Sequence, residues 1–65
     1  MIKVNLLKGE MVKAGYTQAK LAKELGISSK TFYLKLKKGV FNRNEIDAMI
    51  DLLGISDPVG IFFAK

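Results

Sequence analysis

Glycine recurs along this chain at intervals of helical length, and no other sequence feature constrains the fold as strongly. The intervals end at Gly15, Gly26, Gly39 and Gly54. Within them, apolar residues recur three or four positions apart, which is typical of helices with one buried face. The chain has no Asn-Gly hairpin turn and no sustained alternation of apolar and polar residues, so strands are not expected. The sequence therefore predicts an all-α fold, a compact bundle of four short helices followed by a C-terminal helical turn.

Each predicted helix after the first has a candidate N-cap, a residue whose side-chain oxygen can accept a hydrogen bond from the first helical turn. The candidates, in chain order, are Thr17, Ser28 or Ser29, Asn42 and Asp57. Asn42 is followed three residues later by Glu45, which is the spacing of a capping box. Pro58 follows Asp57 at the first helical position, where its missing N–H costs nothing.

The apolar residues that keep the helical spacing form one predicted core. Its members are Val4, Leu7, Met11 and Ala14 in the first helix, Leu21, Ala22 and Leu25 in the second, Phe32 and Leu36 in the third, and Ile46, Met49, Ile50 and Leu53 in the fourth. A chain of 65 residues of which 49% are hydrophobic can build one small core. We therefore expect a single domain over residues 1–65, with no room for a separate effector domain.

The residues that usually carry catalysis are missing. The chain contains no cysteine and no histidine, which excludes disulfides and removes the commonest metal ligands and general base. Asp47 and Asp51 lie four positions apart, as an acid–base or ligand pair would, but a solvated helix face explains them better. We expect no enzyme activity, no cofactor, no metal and no small-molecule ligand.

The N-terminal segment does not have the pattern of a signal peptide, because Lys3, Asn5 and Lys8 interrupt its apolar residues. No stretch approaches the roughly 18 apolar residues that a membrane-spanning helix needs. We expect a cytoplasmic protein.

The positive charge is concentrated in the middle of the chain. Residues 12–43 carry eight basic residues against Glu24 alone, a net charge of +7, whereas residues 44–65 carry one lysine against four acidic residues. This distribution favours a polyanionic partner for the middle segment, although a solvated lysine surface that keeps the protein soluble would look the same.

Two predicted helices joined by a three-residue turn lie inside this basic segment. The turn begins at Gly26, which can adopt the positive φ that reverses the chain. Ala22 is small where the next helix crosses, and Ile27 fills the angle between the two helices. Phe32 anchors the second helix and so fixes its outward face. The pattern predicts a helix-turn-helix over about residues 17–38, whose second helix can enter the major groove of DNA.

The segment TQAKLAKELGIS, from Thr17 to Ser28, resembles the helix-turn-helix of phage repressors, Cro proteins and their bacterial relatives. Later segments also resemble small phage-encoded members, namely Phe41-Asn42, Asn44-Glu45-Ile46, Leu52-Leu53-Gly54-Ile55, Asp57-Pro58 and Ile61-Phe62-Phe63-Ala64. The resemblance covers roughly residues 5–64. It implies a lambda-repressor-like domain, and a phage or prophage regulator that blocks transcription by occupying an operator. Such a regulator would be associated with the nucleoid of a bacterial host. Lys35 stands where many relatives carry an aliphatic core residue, and Leu36 takes over that anchoring.

The resemblance also implies which residues contact DNA. Gln18 would contact a phosphate and brace the recognition helix. Ser28, Ser29 and Lys30, around the first turn of that helix, would face base edges or phosphates, and Tyr33 would face the groove one turn later.

Helical geometry independently places positions 29, 30, 33, 34 and 37 opposite Phe32 and Leu36. Lys30 can donate to guanine, and Tyr33 can reach a phosphate or a thymine methyl group, or lie half-buried. Leu34 can contact a thymine methyl group or pack at the edge of the core. Further candidates for phosphate contacts, which set affinity but carry no sequence information, are Thr17, Lys20, Lys37, Lys38, Asn42 and Arg43.

The apolar tail Ile61-Phe62-Phe63 permits two interpretations. Adjacent phenylalanines point in different directions, so one can pack on the domain while the other stays exposed. The tail then either closes the core or forms the centre of a homodimer on a palindromic operator.

A function from another class stays open as an alternative. The domain could be a protein-interaction module without its own operator, for example one that binds an anti-repressor through its second helix or its tail. The lysine-rich middle segment counts against this, because protein interfaces are depleted in lysine. The acidic fourth helix argues against a cationic membrane-surface peptide.

Overall fold

The computed structural model describes residues 2–63, and within this range it contains five helices and no strand. The helices are α1 (Val4–Lys13), α2 (Gln18–Leu25), α3 (Ser29–Lys38), α4 (Arg43–Leu53) and α5 (Pro58–Phe62). The all-α prediction is confirmed, and the predicted C-terminal turn is a helix of five residues. None of the described helices is both long enough and apolar enough to cross a membrane.

The predicted N-caps are present. Thr17 Oγ1 accepts from the Lys20 N–H at 3.1 Å, and Asn42 Oδ1 accepts from the Glu45 N–H at 2.8 Å. Ser28, not Ser29, caps α3, since its Oγ accepts from the Thr31 N–H at 3.1 Å. Asp57 caps α5 in the same way, with Pro58 at the start of the helix. Local capping chemistry therefore sets the beginning of every helix except α1, whose Lys3 N-cap makes no side-chain hydrogen bond.

The core lies where α1, α2, α3 and α4 meet. Each of these helices contributes at least one large side chain that is almost completely buried, and the four least exposed are Leu7, Leu21, Phe32 and Met49. Phe32 stacks at a tilt on Phe41, with 5.6 Å between the ring centroids. The start of the chain is fixed against α5, since the Lys3 N–H donates to the Ile61 carbonyl at 2.7 Å.

Four predicted core residues differ from the expectation. Ala14 is exposed because α1 ends at Lys13 and the chain turns away there. Val4, Leu25 and Ile50 are only partly buried and pack against the edge of the core. Five buried residues lie outside the predicted helical stripes, because connecting segments and the tail fold back over the helices: Ile2, Phe41, Ile55, Ile61 and Phe62.

Candidate nucleic-acid interface

The turn between α2 and α3 has the geometry that the sequence predicts. Gly26 ends α2 in the left-handed region, at φ 76° and ψ 25°. The next residue, Ile27, donates its N–H to the Ala22 carbonyl at 3.0 Å and packs its side chain against the core. Ala22 itself is 1% exposed, so a larger side chain there would force the two helices apart. These contacts fix the angle at which α3 leaves the turn.

Helix α3 has one buried and one exposed side. Phe32 and Leu36 hold it to the core with 0% and 2% of their surface exposed. The opposite side presents the residues that were predicted to face away from the core: Ser29, Lys30, Tyr33, Leu34 and Lys37. Tyr33 is 53% exposed and Leu34 is 44% exposed, so neither is a core residue. The outward side of α3 is therefore available to a large partner.

Ser28 differs from the other predicted base-contact residues. Its hydroxyl caps α3 and also donates to Thr31 Oγ1 at 2.9 Å. A serine committed to two contacts within its own helix has little capacity left for a base. Ser29, Lys30, Tyr33 and Leu34 have no such commitment among the hydrogen bonds of residues 2–63.

The predicted phosphate-contact residues are all exposed, but they fall into separate groups. Gln18 and Lys37 line one hollow together with Tyr33. Lys38 and Asn42 line a second groove with Leu34. The others lie apart from both: Thr17 is the cap of α2, the Lys20 ammonium lies 5.2 Å from the centre of the Tyr16 ring, and Arg43 Nε donates to Asp47 Oδ1 at 3.3 Å.

Lys8 belongs to this surface, and sequence reasoning did not select it. It lies on α1, one turn after Val4, and both line the hollow that Gln18 and Lys37 also line. The sequence pattern indicated only that Lys8 lies outside the apolar stripe of α1. Nothing in the sequence placed α1 beside α3, because that neighbourhood depends on how the two helices pack.

An ion pair joins the far half of α3 to α4. The Lys35 ammonium donates to both carboxylate oxygens of Glu45, at 2.8 and 2.6 Å. Glu45 Oε1 also accepts the Asn42 N–H at 2.9 Å, which completes the predicted capping box. Glu45 is only 7% exposed. Its burial raises the pKa of the carboxyl group, but the hydrogen bonds from Lys35 and Asn42 and the nearby ammonium charge outweigh burial and leave the pKa below its ordinary value.

This pair explains why a lysine is tolerated at position 35. Leu36 carries the anchoring contact with the core, as predicted, and Lys35 lies half-buried beside it. The pair holds α3 against α4 through two residues that are ten positions apart in the sequence. The rotation of α3 about its own axis is thus fixed at Phe32, Leu36 and Lys35 together.

The two phenylalanines of the tail have different environments, as the sequence predicts: one is buried and the other is exposed. Phe62 is 4% exposed and Ile61 is 6% exposed, so both belong to the core, whereas Phe63 is 46% exposed. The rings of Phe62 and Phe63 lie 6.5 Å apart at a tilt of 59°. Of the three residues considered for a dimer interface, only Phe63 presents its ring to solvent.

A comparison with family models gives one match, which decides the family. The model of the bacterial regulatory proteins of the Fis family matches residues 6–39, slightly more than half of the chain. The chain belongs to the Fis family. The match begins in α1 and ends at the glycine that closes α3, so it contains the whole helix-turn-helix. As a Fis-family domain, the chain is a DNA-binding regulator of transcription. Comparisons with curated proteins and with solved structures returned no match.

The resemblance to phage repressors and Cro proteins is therefore wrong at the level of the family. The segment that carried it, from Gln18 to Ser28, contains the small alanine, the glycine turn and the apolar plug that any two helices need to cross at this angle. Those residues are required by the packing of the two helices in a helix-turn-helix, a motif that both families contain. They do not distinguish one family from the other.

Proposed function

We propose that this Fis-family regulator recognises a specific sequence in double-stranded DNA by placing α3 in the major groove, and that it blocks transcription by occupying that sequence. The observation that carries the proposal is the division of α3 into a side locked by Phe32 and Leu36 and a side that exposes Ser29, Lys30 and Tyr33. A helix fixed in this way can present the same side chains to every DNA molecule it meets.

The exposed residues of α3 supply chemistry suited to base edges. Lys30, in the first turn, can donate to guanine O6 and N7. Tyr33 follows one turn later and can place its ring on a thymine methyl group or its hydroxyl on a phosphate. Leu34 is an apolar residue on a wet surface, and a thymine methyl group would remove it from water. Ser29 can donate or accept, so it contributes contact more than discrimination.

Backbone contacts would surround this reading surface. Lys37 and Lys38 end α3, Arg43 begins α4, and Thr17 and Gln18 begin α2. Such contacts hold the register of the protein on the duplex, whatever the base sequence. The acidic residues Asp47 and Asp51 lie on α4, where their charge would keep the rest of that helix away from the phosphates.

We further propose that two copies bind together on a palindromic site, with Phe63 at the centre of the contact. Val59 lies one turn before Phe63 and is 63% exposed, so the two residues form an apolar strip on the outside of α5. Half-sites of this motif lie about 34 Å apart. The domain measures 28 Å along its longest axis between Cα positions, so two copies with this axis along the duplex would leave about 6 Å (34 − 28) for exposed side chains such as Phe63 to bridge.

Binding alone performs this function, and we propose no catalytic step and no cofactor. A bound domain excludes other proteins from the same stretch of DNA. The occupancy of the site then depends on the concentration of the regulator and on its affinity for that sequence relative to other DNA.

The test is to select bound duplexes from random DNA and to measure affinity for the selected sequence at two salt concentrations. Lys30→Ala and Tyr33→Ala are expected to change the preferred bases, because they remove groups that face the groove. Lys23→Ala, an exposed change on α2 outside this surface, is the matched control and is expected to leave the preference unchanged. Salt-independent binding, or no binding to any duplex, would contradict the proposal and favour a protein-interaction module.

A further inference from the structure

Three helices meet around an open hollow beside the recognition helix. Its walls are Val4 and Lys8 of α1, Gln18 of α2, and Tyr33, Leu36 and Lys37 of α3. Val4 is half-buried and Leu36 is buried, so they form an apolar base. The polar side chains around this base come from all three helices, and the hollow exists only when α1 is packed beside α3.

The hollow has the chemistry of an anion site. Two of its side chains are ammonium groups, one is an amide and one is a phenol, and none of the six residues is acidic. The two ion pairs among residues 2–63 join Lys35 to Glu45 and Arg43 to Asp47. Lys8 and Lys37 therefore hold their charge without an acidic partner in this part of the chain. Two like charges that line one hollow repel each other, and an anion bound between them would turn this repulsion into attraction.

The position of Tyr33 connects this hollow to the DNA-reading surface. Tyr33 lies on the outward side of α3 and also lines the hollow. When α3 lies in a major groove, the adjacent strand of backbone passes the edge of the helix. A phosphodiester at that edge would lie next to Tyr33, in the hollow that Lys8 and Lys37 also line.

We propose that this hollow is the seat of one DNA phosphodiester, held jointly by Lys8 of α1 and Lys37 of α3, with Gln18 and Tyr33 as neutral donors. The inference rests on the proposed function and extends it, because it makes α1 part of the DNA interface. A phosphate gripped by α1 and α3 together fixes how deeply α3 enters the groove. Lys8 is in this sense a positioning residue for base reading.

The first experiment compares two lysines of the same helix. Lys8→Ala removes a charge from the hollow, and Lys13→Ala removes a charge from the far end of α1, outside the hollow. Affinity for the selected duplex is measured at 50 and 200 mM salt. Each phosphate contact contributes about a 3.5-fold loss over this range. Lys8→Ala is expected to bind the duplex more weakly than the wild type. Its affinity is also expected to fall less between the two salt concentrations, by a factor of up to about 3.5. Lys13→Ala is expected to match the wild type in both respects. Lys8→Arg is expected to restore binding, because it keeps the charge.

The second experiment asks whether Lys8 and Lys37 hold the same phosphate. The selected duplex is prepared with a single uncharged methylphosphonate linkage at each backbone position in turn. One linkage is expected to weaken the wild type and the Lys13→Ala variant most. The same linkage is expected to weaken Lys8→Ala and Lys37→Ala less, because each of them keeps only one of the two ammonium groups that hold the phosphate. The proposal that one phosphate contacts both lysines is wrong if Lys8→Ala and Lys37→Ala lose sensitivity at different linkages. It is also wrong if every linkage weakens Lys8→Ala as much as it weakens the wild type.

Different results would contradict the proposed function and the phosphate site. If the wild type binds no duplex in a salt-dependent manner, the proposed function fails. If the wild type selects a sequence but Lys8→Ala and Lys13→Ala behave alike, only the phosphate seat fails. Thermal melts of the variants, expected to match the wild type because both lysines are exposed, exclude unfolding as the cause of weak binding.

Discussion

Replacing Glu45 by glutamine is expected to destabilise the domain, because Glu45 performs two tasks with one carboxylate. It completes the capping box at the start of α4 and it pairs with Lys35 of α3. Glutamine retains an oxygen that can accept the Asn42 N–H, so the capping box survives the change. The loss is therefore confined to the charged contact with Lys35.

The size of that loss follows from the exposure of the two partners. A hydrogen bond to a charged group contributes about 1.5–3 kcal/mol, and breaking a fully buried ion pair costs about 3–5 kcal/mol. Here the carboxylate side chain is 8% exposed but the Lys35 side chain is 30% exposed, so the ammonium regains water when the pair is lost. We expect Glu45→Gln to lower the free energy of unfolding by about 1–2 kcal/mol. In a domain of this size each kcal/mol lowers Tm by about 4–8 °C.

The pH dependence of this loss has a definite sign. The pKa of Glu45 is lower in the folded domain than its ordinary value of 4.5. The ion pair therefore stabilises the fold fully above pH 4.5, and the stabilisation disappears as pH falls through the folded pKa. The gap between the wild type and Glu45→Gln is expected to be widest near neutral pH and to close in acid.

Thermal and urea unfolding at pH 7 and pH 3 would measure both quantities. Asp47→Asn is the matched control, since it also turns a carboxylate of α4 into an amide. In its pair with Arg43, the Asp47 side chain is 58% exposed and the Arg43 side chain is 77% exposed. Because water and salt screen such an exposed pair, it contributes less than about 0.5 kcal/mol to the free energy of unfolding. Equal stability of Glu45→Gln and the wild type at pH 7, or a gap that persists unchanged at pH 3, would refute this account of the pair.

Three further changes test the fold and the assembly. Gly26→Ala places a Cβ in open space but keeps φ at 76°, so it is expected to cost about 1–2 kcal/mol from the backbone alone, and an unchanged Tm would contradict that. Phe32→Ala is expected to cost about 3–5 kcal/mol by leaving a cavity under α3, measured by urea unfolding; a loss below about 1 kcal/mol would show that the site collapses. Phe63→Ser is expected to abolish dimers on the selected palindrome in sedimentation without lowering Tm, whereas Val12→Ser, an exposed apolar change on α1, leaves them intact. Dimers that survive Phe63→Ser would place the interface elsewhere.

The parts of the fold that depend on neighbours in sequence could be predicted. Thr17, Asn42 and Asp57 cap their helices with hydrogen bonds to residues three positions later. The chain reversal at Gly26 requires a positive φ, which glycine adopts without steric cost. Such features follow from local chemistry, so a sequence pattern is sufficient to recognise them.

The parts that depend on packing could not be predicted in the same way. The spacing of Glu45 indicated a capping box, but its contact with Lys35 requires α3 and α4 to lie side by side. Lys8 joins the predicted DNA surface for the same reason, since only the folded chain brings α1 to Gln18 and Lys37. The family prediction was wrong because the residues from Gln18 to Ser28 are those that the geometry of the motif requires. Such residues occur in several helix-turn-helix families and do not distinguish between them.

Each of α1, α2, α3 and α4 places a fully buried large side chain at the centre, and this has a consequence for cooperativity. Leu7, Leu21, Phe32 and Met49 share one interior, so no helix can leave without exposing the other three. The domain should therefore unfold in one step, by every probe at the same denaturant concentration. A peptide restricted to residues 6–39 would retain the whole motif yet lose Met49, and with it the closure that holds α3 rigid enough to read DNA.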